Sequence, residues 1–219
     1  LMGFRFPANF NAPYFATNLQ DFWRRWHISL SSWLRDYLYV PLGGSRRGAI
    51  RTYANLLITF LLGGLWHGAA WTFLAWGAFH GMYLALERAV RGRLGLTRRH
   101  AAPAPWPLAL LGRIWIFHVV CFSWILFRGG RLETVSAMFR SLAHWRTAVP
   151  ELTLWSTLSV AMVTIGFVTQ FLDGDRLWRA ARTVAAGPAW ALAAAAAAVL
   201  TGILALGPEG VAPFIYFQF

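Results

Sequence analysis

The sequence predicts an all-α protein: a polytopic transmembrane helical bundle of about five membrane segments, preceded by an amphipathic interfacial helix. Three observations predict it. The 219 residues are 58% hydrophobic, with 13 Trp and 17 Phe. The apolar residues gather in runs near the ~20 residues that a spanning helix needs. The net charge of +12 falls mainly between those runs, and all 20 basic residues are Arg. A nucleic-acid-binding domain can be this basic but does not carry such runs, so no nucleic-acid partner is expected. The same apolar content excludes a disordered basic tail. Without Lys there is no phosphate loop of the Walker type and no Schiff-base chemistry. Cys121 is the single cysteine, which leaves no disulfide framework and no cysteine-based zinc site.

The elements follow in order. Residues 18–40 read as one amphipathic helix, with Asn18 as N-cap, Asp21 in the first turn, and Pro41, Gly43 and Gly44 as the stop. Phe22, Trp26, Trp33 and Tyr37 fall on one side. Trp23, His27, Leu30, Leu34 and Leu38 make an adjacent apolar stripe, and Asp21, Arg25, Ser29, Ser32 and Asp36 line the polar side. This helix is too charged to span alone, so it lies at the membrane interface or packs inward. Next come Tyr53–Trp66 and 69–87, joined through Gly63-Gly64-Leu65-Trp66-His67-Gly68. The first is short for a span, so 53–87 reads as a helical hairpin with His67 at an apex inside the bilayer. Gly77 and Gly81 form a G-x-x-x-G pair, the signature of close helix contact. Three further spans are predicted at 107–127, 152–172 and 189–206, the last containing the Ala run 193–198.

Arg46, Arg47 and Arg51, then Arg88, Arg91, Arg93, Arg98 and Arg99, sit in loops without acids, which places 41–51 and 88–106 in the cytoplasm. The loop 173–188, with Arg176, Arg179 and Arg182, falls on the same side. The loop 128–151 is then external although it carries Arg128, Arg131, Arg140 and Arg146 against Glu133 and Glu151. The opening Leu1-Met2-Gly3-Phe4-Arg5-Phe6-Pro7 reads as the interior of a longer protein.

The candidate chemistry rests on histidine. There is no G-x-S-x-G elbow, no H-E-x-x-H and no carboxylate pair at ligand spacing, so no metal is expected. His67 lies between Trp66 and Gly68, far in sequence from any charge. Ionised groups at such depth cost ~2.5–3.5 kcal/mol on insertion scales, so the neutral imidazole is favoured there. A neutral imidazole is a competent general base. The competing reading is a histidine that bonds a backbone carbonyl freed by the helix break. His27 either packs with one hydrogen bond or lines a polar tunnel. His80, between Gly77 and Gly81, reads first as packing and next as support for a nearby site. His118 reads as structural or pathway-lining, while His100 and His144 have no assigned role. Arg35 and Asp36, with Arg24 and Arg25, form a charge network or a polar vestibule. The turn Pro41-Leu42-Gly43-Gly44-Ser45-Arg46-Arg47-Gly48 offers free backbone N–H groups beside two guanidinium groups. It suits either the phosphates of a nucleotide-like donor or those of lipid headgroups.

Phe22-Trp23-Arg24-Arg25-Trp26-His27-Ile28-Ser29-Leu30-Ser31, Trp33-Leu34-Arg35-Asp36-Tyr37 and Pro41-Leu42-Gly43-Gly44 closely resemble the membrane-bound O-acyltransferase family, in its bacterial alginate O-acetyltransferase-like branch. Asn55-Leu56-Leu57, then Gly63 through Ala69, Trp71-Thr72-Phe73 and Trp76-Gly77-Ala78-Phe79-His80-Gly81 continue the likeness, and Phe214-Ile215-Tyr216-Phe217-Gln218-Phe219 resembles that branch's ending. The resemblance covers the C-terminal half of a family member, so the chain is expected to be inactive in isolation. It implies transfer of an acyl group, here acetyl, from a thioester donor to hydroxyl acceptors inside a membrane tunnel. His67 matches the family's catalytic histidine and His27 a second histidine of the bacterial branch. Trp66, His80, Asp36 and Ser29 are candidates for the tunnel wall and its support, and Gly43, Gly44, Arg46 and Arg47 for the donor's phosphates. The resemblance implies no bound cofactor; the donor is acetyl-CoA or a carrier-protein thioester. It also implies a multi-pass place in the bacterial inner membrane and an extracytoplasmic esterase-like partner that passes acetyl to a polysaccharide. Teichoic-acid D-alanyl transfer, a transporter or flippase, and a scaffold of a polysaccharide-export complex are the rival readings.

Overall fold

The computed structural model describes residues 7–95, 105–144, 157–169 and 174–206. Among these residues every regular element is helical, and the chain divides into two compact units, 1–150 and 151–219. Arg98, Arg99, His100, Arg146, Glu151, the start of the predicted span 152–172 and the ending 214–219 lie outside the described residues.

The first unit opens with α1 (Leu19–Arg25) and α2 (Ile28–Leu34), followed by a π-helical turn at Arg35–Tyr39. Asn18 caps α1 as predicted: its Oδ1 accepts from the Asp21 N–H at 2.8 Å. The single helix expected over 18–40 is broken, however, at Trp26 and His27. His27 takes φ 44°, ψ 55°, a left-handed conformation that is uncommon outside glycine. The backbone groups near the break are paired by the segment upstream. The Asn11 N–H donates to the Arg25 carbonyl at 2.9 Å, and the Ile28 N–H donates to the Asn9 carbonyl at 2.9 Å. The Ser29 N–H donates to Asn9 Oδ1 at 3.1 Å. The break is therefore a tertiary feature, invisible to helical periodicity. After the π turn, Gly43 (φ 108°) and Gly44 (φ 54°) end the helix at the predicted place.

Two long helices form the frame: α3 (Ala49–His67) and α4 (Trp71–Arg93). With 19 residues, α3 is a full-length apolar helix rather than the short segment predicted. Gly63 and Gly64 lie inside it and do not break it. The reversal comes after His67, where Gly68 adopts φ 152°. The two glycines serve packing instead. A Cβ on Gly64 would collide with the Phe73 carbonyl, and one on Gly77 with the Phe60 carbonyl. One on Gly81 would lie 2.8 Å from Leu57 Cα. The helices thus approach backbone to backbone, as the Gly77/Gly81 pair predicted.

The α1–α2 segment is also no surface helix. The Leu19 N–H donates to Glu87 Oε2 at 2.7 Å, and Trp23 Nε1 donates to His80 Nδ1 at 3.3 Å. Gly63 packs against Leu34, and Asn55 Nδ2 donates to the Leu42 and Gly44 carbonyls at 3.2 and 3.0 Å. So α1 runs along α4 from Glu87 to His80, turns at His27, and returns along α3 through Leu34 to Gly44. It is a hairpin of two short helices. Leu19 and Phe22 are buried against Leu84 of α4 and against Ile116 and Val120 of α5 (Trp106–Arg128). The outward stripe is the remainder: Trp33 and Tyr37, exposed, with ring centroids 5.5 Å apart.

Helix α5 matches the predicted span 107–127 closely. Of the described helices, α3 and α5 are long and apolar enough to cross a membrane. α4 has the length, but Glu87, Arg88, Arg91 and Arg93 occupy its last turns. The predicted loop 128–151 contains α6 (Leu132–Ala143), whose Val135 is buried against Gly129. In the second unit, α7 (Thr157–Thr169) lies within the predicted span 152–172. α9 (Ala189–Leu206) coincides with the predicted span 189–206, and its stretch Ala189–Gly202 is apolar. Between them the predicted loop 173–188 holds α8 (Gly174–Ala185).

Candidate active site

Two chain reversals meet in the first unit, and each carries a histidine at its turn. His67 is the last residue of α3, and His27 is the residue at which α1 gives way to α2. A chain of aromatic contacts joins the two rings. His67 is buried, at 8% exposure, inside an aromatic wall. Its ring centroid lies 4.9 Å from Trp66, 5.4 Å from Trp76, 5.0 Å from Phe127 and 6.2 Å from Phe73. The wall continues from Phe127 through Trp124 to Trp26, and from there to Phe10, which faces His27. Burial holds the His27 imidazole below its usual pKa. Such a pair of imidazoles in an aromatic enclosure can accept and return a proton without a competing carboxylate network.

His80 is placed one step away and differs in kind. It is 1% exposed, and its Nδ1 is occupied by the Trp23 indole. Its ring touches Trp76 at 4.8 Å, so it supports the wall around His67 from behind. This agrees with the packing reading. Trp66 is half exposed and forms the rim.

Two further candidates stand apart from this centre. Asp36 is exposed and held by the Arg35 guanidinium at 2.7 and 2.9 Å, which keeps its carboxyl below the usual carboxylate range. Ser29 is exposed and bonds the Asn9 side chain, so it works at the α1–α2 break. His118 is exposed on α5, where Nδ1 bonds the Ile114 carbonyl at 2.8 Å, and it lines no buried path. Arg24 and Arg25 do not join Arg35 and Asp36: Arg25 pairs with Asp21 at 3.0 Å within α1.

Gly43, Gly44, Arg46 and Arg47 lie together in one turn. They line a cleft of about 380 Å³ whose wall is completed by Tyr39 and Ser45. The Arg47 stem lies over Gly43, where a Cβ would come within 2.9 Å of its Cδ. Asn55 fixes the cleft to α3 through the Leu42 and Gly44 carbonyls. From Asn55 to His67 the helix rises about 18 Å. Along that stretch the buried face of α3 carries Asn55, Thr59, Gly63 and His67, a polar stripe inside an apolar helix.

Sequence reasoning missed three residues here. Trp76 and Phe127 read as ordinary apolar positions, yet both pack on His67. Glu87, the lone acid of α4, carries no role in the sequence reading, yet it accepts the Leu19 N–H and holds α1 in place. Its position four residues before Arg91 was the available signal.

Residues 1–127 match the MBOAT, membrane-bound O-acyltransferase family. A probable alginate O-acetylase, AlgI, of Pseudomonas putida is 39% identical over 239 residues, covering 100% of this chain and 47% of the relative. A peptidoglycan O-acetyltransferase of Helicobacter pylori is 44% identical over 138 residues, 63% of this chain and 25% of the relative. A teichoic acid D-alanyltransferase of Streptococcus thermophilus is 32% identical over 143 residues, 59% of this chain and 34% of the relative. The chain therefore spans about half the length of the P. putida protein. Both histidine-bearing reversals and the Arg46–Arg47 cleft fall inside the matched residues, and the chain belongs to the membrane-bound O-acyltransferase family.

Proposed function

We infer that the protein to which this chain belongs moves an acetyl group from a thioester donor toward the hydroxyl groups of an extracytoplasmic polysaccharide, with His67 as general base. The observation that carries this is the burial of His67 at a helix end, beside His27, within a family of O-acyltransferases. The acceptor hydroxyl gives its proton to the His67 imidazole as its oxygen adds to the thioester carbonyl. Collapse of the adduct breaks the C–S bond, and the imidazolium returns the proton to the leaving thiolate. His27 sits where it can relay that proton or orient the acceptor.

The donor enters from the Arg46–Arg47 cleft, where two guanidinium groups and turn N–H groups suit phosphate oxygens. Its acyl arm follows the Asn55–Thr59–His67 stripe for about 18 Å, a length suited to a pantetheine arm. The protein crosses the bacterial inner membrane several times, with this chain supplying about five membrane segments. The 41–51 loop faces the cytoplasm, and an esterase-like partner outside receives the acetyl group. Acetyl-CoA and a carrier-protein thioester share the pantetheine chemistry that the cleft would read.

The test is replacement of His67 by Ala in the complete gene product, with polymer O-acetylation and membrane protein level both measured. Loss of acetylation at unchanged protein level is expected. Acetylation at the wild-type level would overturn the assignment.

A further inference from the structure

Beyond the histidines, the wall around His67 contains a donor with nothing to donate to. Trp76 is 5% exposed, and its Nε1–H is buried without an acceptor. One helical turn earlier on the same face of α4, Thr72 is fully buried and its hydroxyl is likewise unpartnered. Residues four apart share a helix face, so the two orphaned groups lie on one line. Buried polar groups are almost always paired, because leaving one unpaired forfeits its bonds to water without replacement. Asn55 Oδ1 and His27 Nδ1 are also buried without a partner, but Trp76 and Thr72 are the two such donors that share one stripe of α4, beside the proposed base. Thr52, Thr59 and Ser123, by contrast, all donate to backbone carbonyls at 2.7–2.8 Å.

The surroundings hold Trp76 in place. The indole stands perpendicular to the His67 ring, with centroids 5.4 Å apart, and also packs on His80 at 4.8 Å, Phe127 at 5.4 Å and Trp23 at 5.8 Å. Packing alone would be served as well by phenylalanine, which the same wall uses at 73 and 127. An indole N–H is a donor only, so the group it awaits is an acceptor. A donor fixed in a water-poor enclosure beside a general base is the arrangement that stabilises a developing oxyanion.

We propose that Trp76 Nε1–H hydrogen-bonds the carbonyl oxygen of the donor thioester during transfer, with the Thr72 hydroxyl as a second polar contact for the acyl donor in the same subsite. This rests on the reading of His67 given above. As the acceptor oxygen adds to the thioester carbon and its proton passes to His67, the carbonyl π electrons move onto oxygen, and the Trp76 N–H receives that charge. When the carbonyl re-forms, the C–S bond breaks and the thiolate takes the proton from His67.

The experiment compares Trp76→Phe, Thr72→Val and His67→Ala in the complete gene product, reconstituted in proteoliposomes with an acyl thioester and with its dithioester analogue, in which C=S replaces C=O. Removal of one oxyanion donor typically lowers kcat by about 10²–10³-fold. Trp76→Phe is expected to lower kcat to that degree with KM within threefold and with the melting temperature preserved. It should also lose the preference for the thioester over the weaker-accepting dithioester that the wild type shows, an effect a packing role would not produce. Thr72→Val is expected to raise KM more than it lowers kcat. Wild-type kcat and wild-type preference in Trp76→Phe, with His67→Ala inactive, would overturn this proposal and leave the His67 assignment standing. Full activity in His67→Ala would instead overturn the reading on which it rests. If Trp76→Phe fails to accumulate, Trp76→His, which restores an N–H, decides: an accumulating Trp76→His that lacks the preference also overturns the proposal.

Discussion

Two levels of the α3–α4 hairpin carry a buried histidine, and they are built differently. At the His80 level the ring sits in mid-helix, 1% exposed, with Nδ1 occupied by the Trp23 indole and glycines on either side that bring α4 against α3. At the His67 level the ring ends a helix, a second chain reversal arrives opposite at His27, and Trp76 leaves a buried N–H unpaired. The first arrangement is closed and satisfied. The second is enclosed but chemically incomplete. That difference sets the proposed base apart from the packed histidine.

The comparison can be broken first at His67. His67→Gln, which keeps much of the volume and removes the base, is expected to lower acyl transfer by about 10²–10⁴-fold, measured as acetyl incorporated per molecule of membrane protein. His80→Phe should leave transfer per folded molecule within threefold. It should instead cost about 1–3 kcal/mol of stability, because the Trp23 indole loses its acceptor. Equal loss of transfer in the two variants would erase the distinction.

The next effect lies in the helix contact that sets both levels. Gly77→Val places side-chain atoms against the Phe60 carbonyl and is expected to destabilise by about 1–3 kcal/mol or more, read from thermal unfolding in detergent. Asn55→Leu strips the Leu42 and Gly44 carbonyls of a shared donor. It should loosen the Arg46–Arg47 cleft and raise KM for the donor while kcat stays within threefold. The smallest change belongs to Asp36→Asn. That exposed group pairs with its neighbour Arg35, away from both histidines, and neither transfer nor unfolding should move measurably.

The same contrast explains what could be read in the sequence. The helices at 107–127 and 189–206 follow from apolar length alone, a local property, and they lie where they were predicted. The Asn18 cap, the Gly43–Gly44 stop and the Gly77/Gly81 contact likewise depend on residues near in sequence. The break at His27 does not. Amphipathic periodicity runs through Trp26 and His27 unaltered, and the left-handed turn is imposed by Asn9 and Asn11 and by contacts to α3 and α4. Gly63 and Gly64 suggested a reversal because glycine both breaks helices and packs them; only the partner helix shows that packing governs here. At the site, His67 and His27 were legible as types of residue. Trp76 was not, because an indole in an aromatic-rich membrane chain signals nothing until its N–H is found buried and unpaired.

The most direct test of the account is single-turnover transfer by the purified complete gene product in proteoliposomes. Labelled acetyl thioester is supplied on one face, a hydroxyl acceptor is supplied on the other, and wild type is compared with His67→Ala and His80→Phe. The account predicts covalent label on the acceptor for wild type and His80→Phe and none above background for His67→Ala. Label appearing on the acceptor at the wild-type rate with His67→Ala would contradict it.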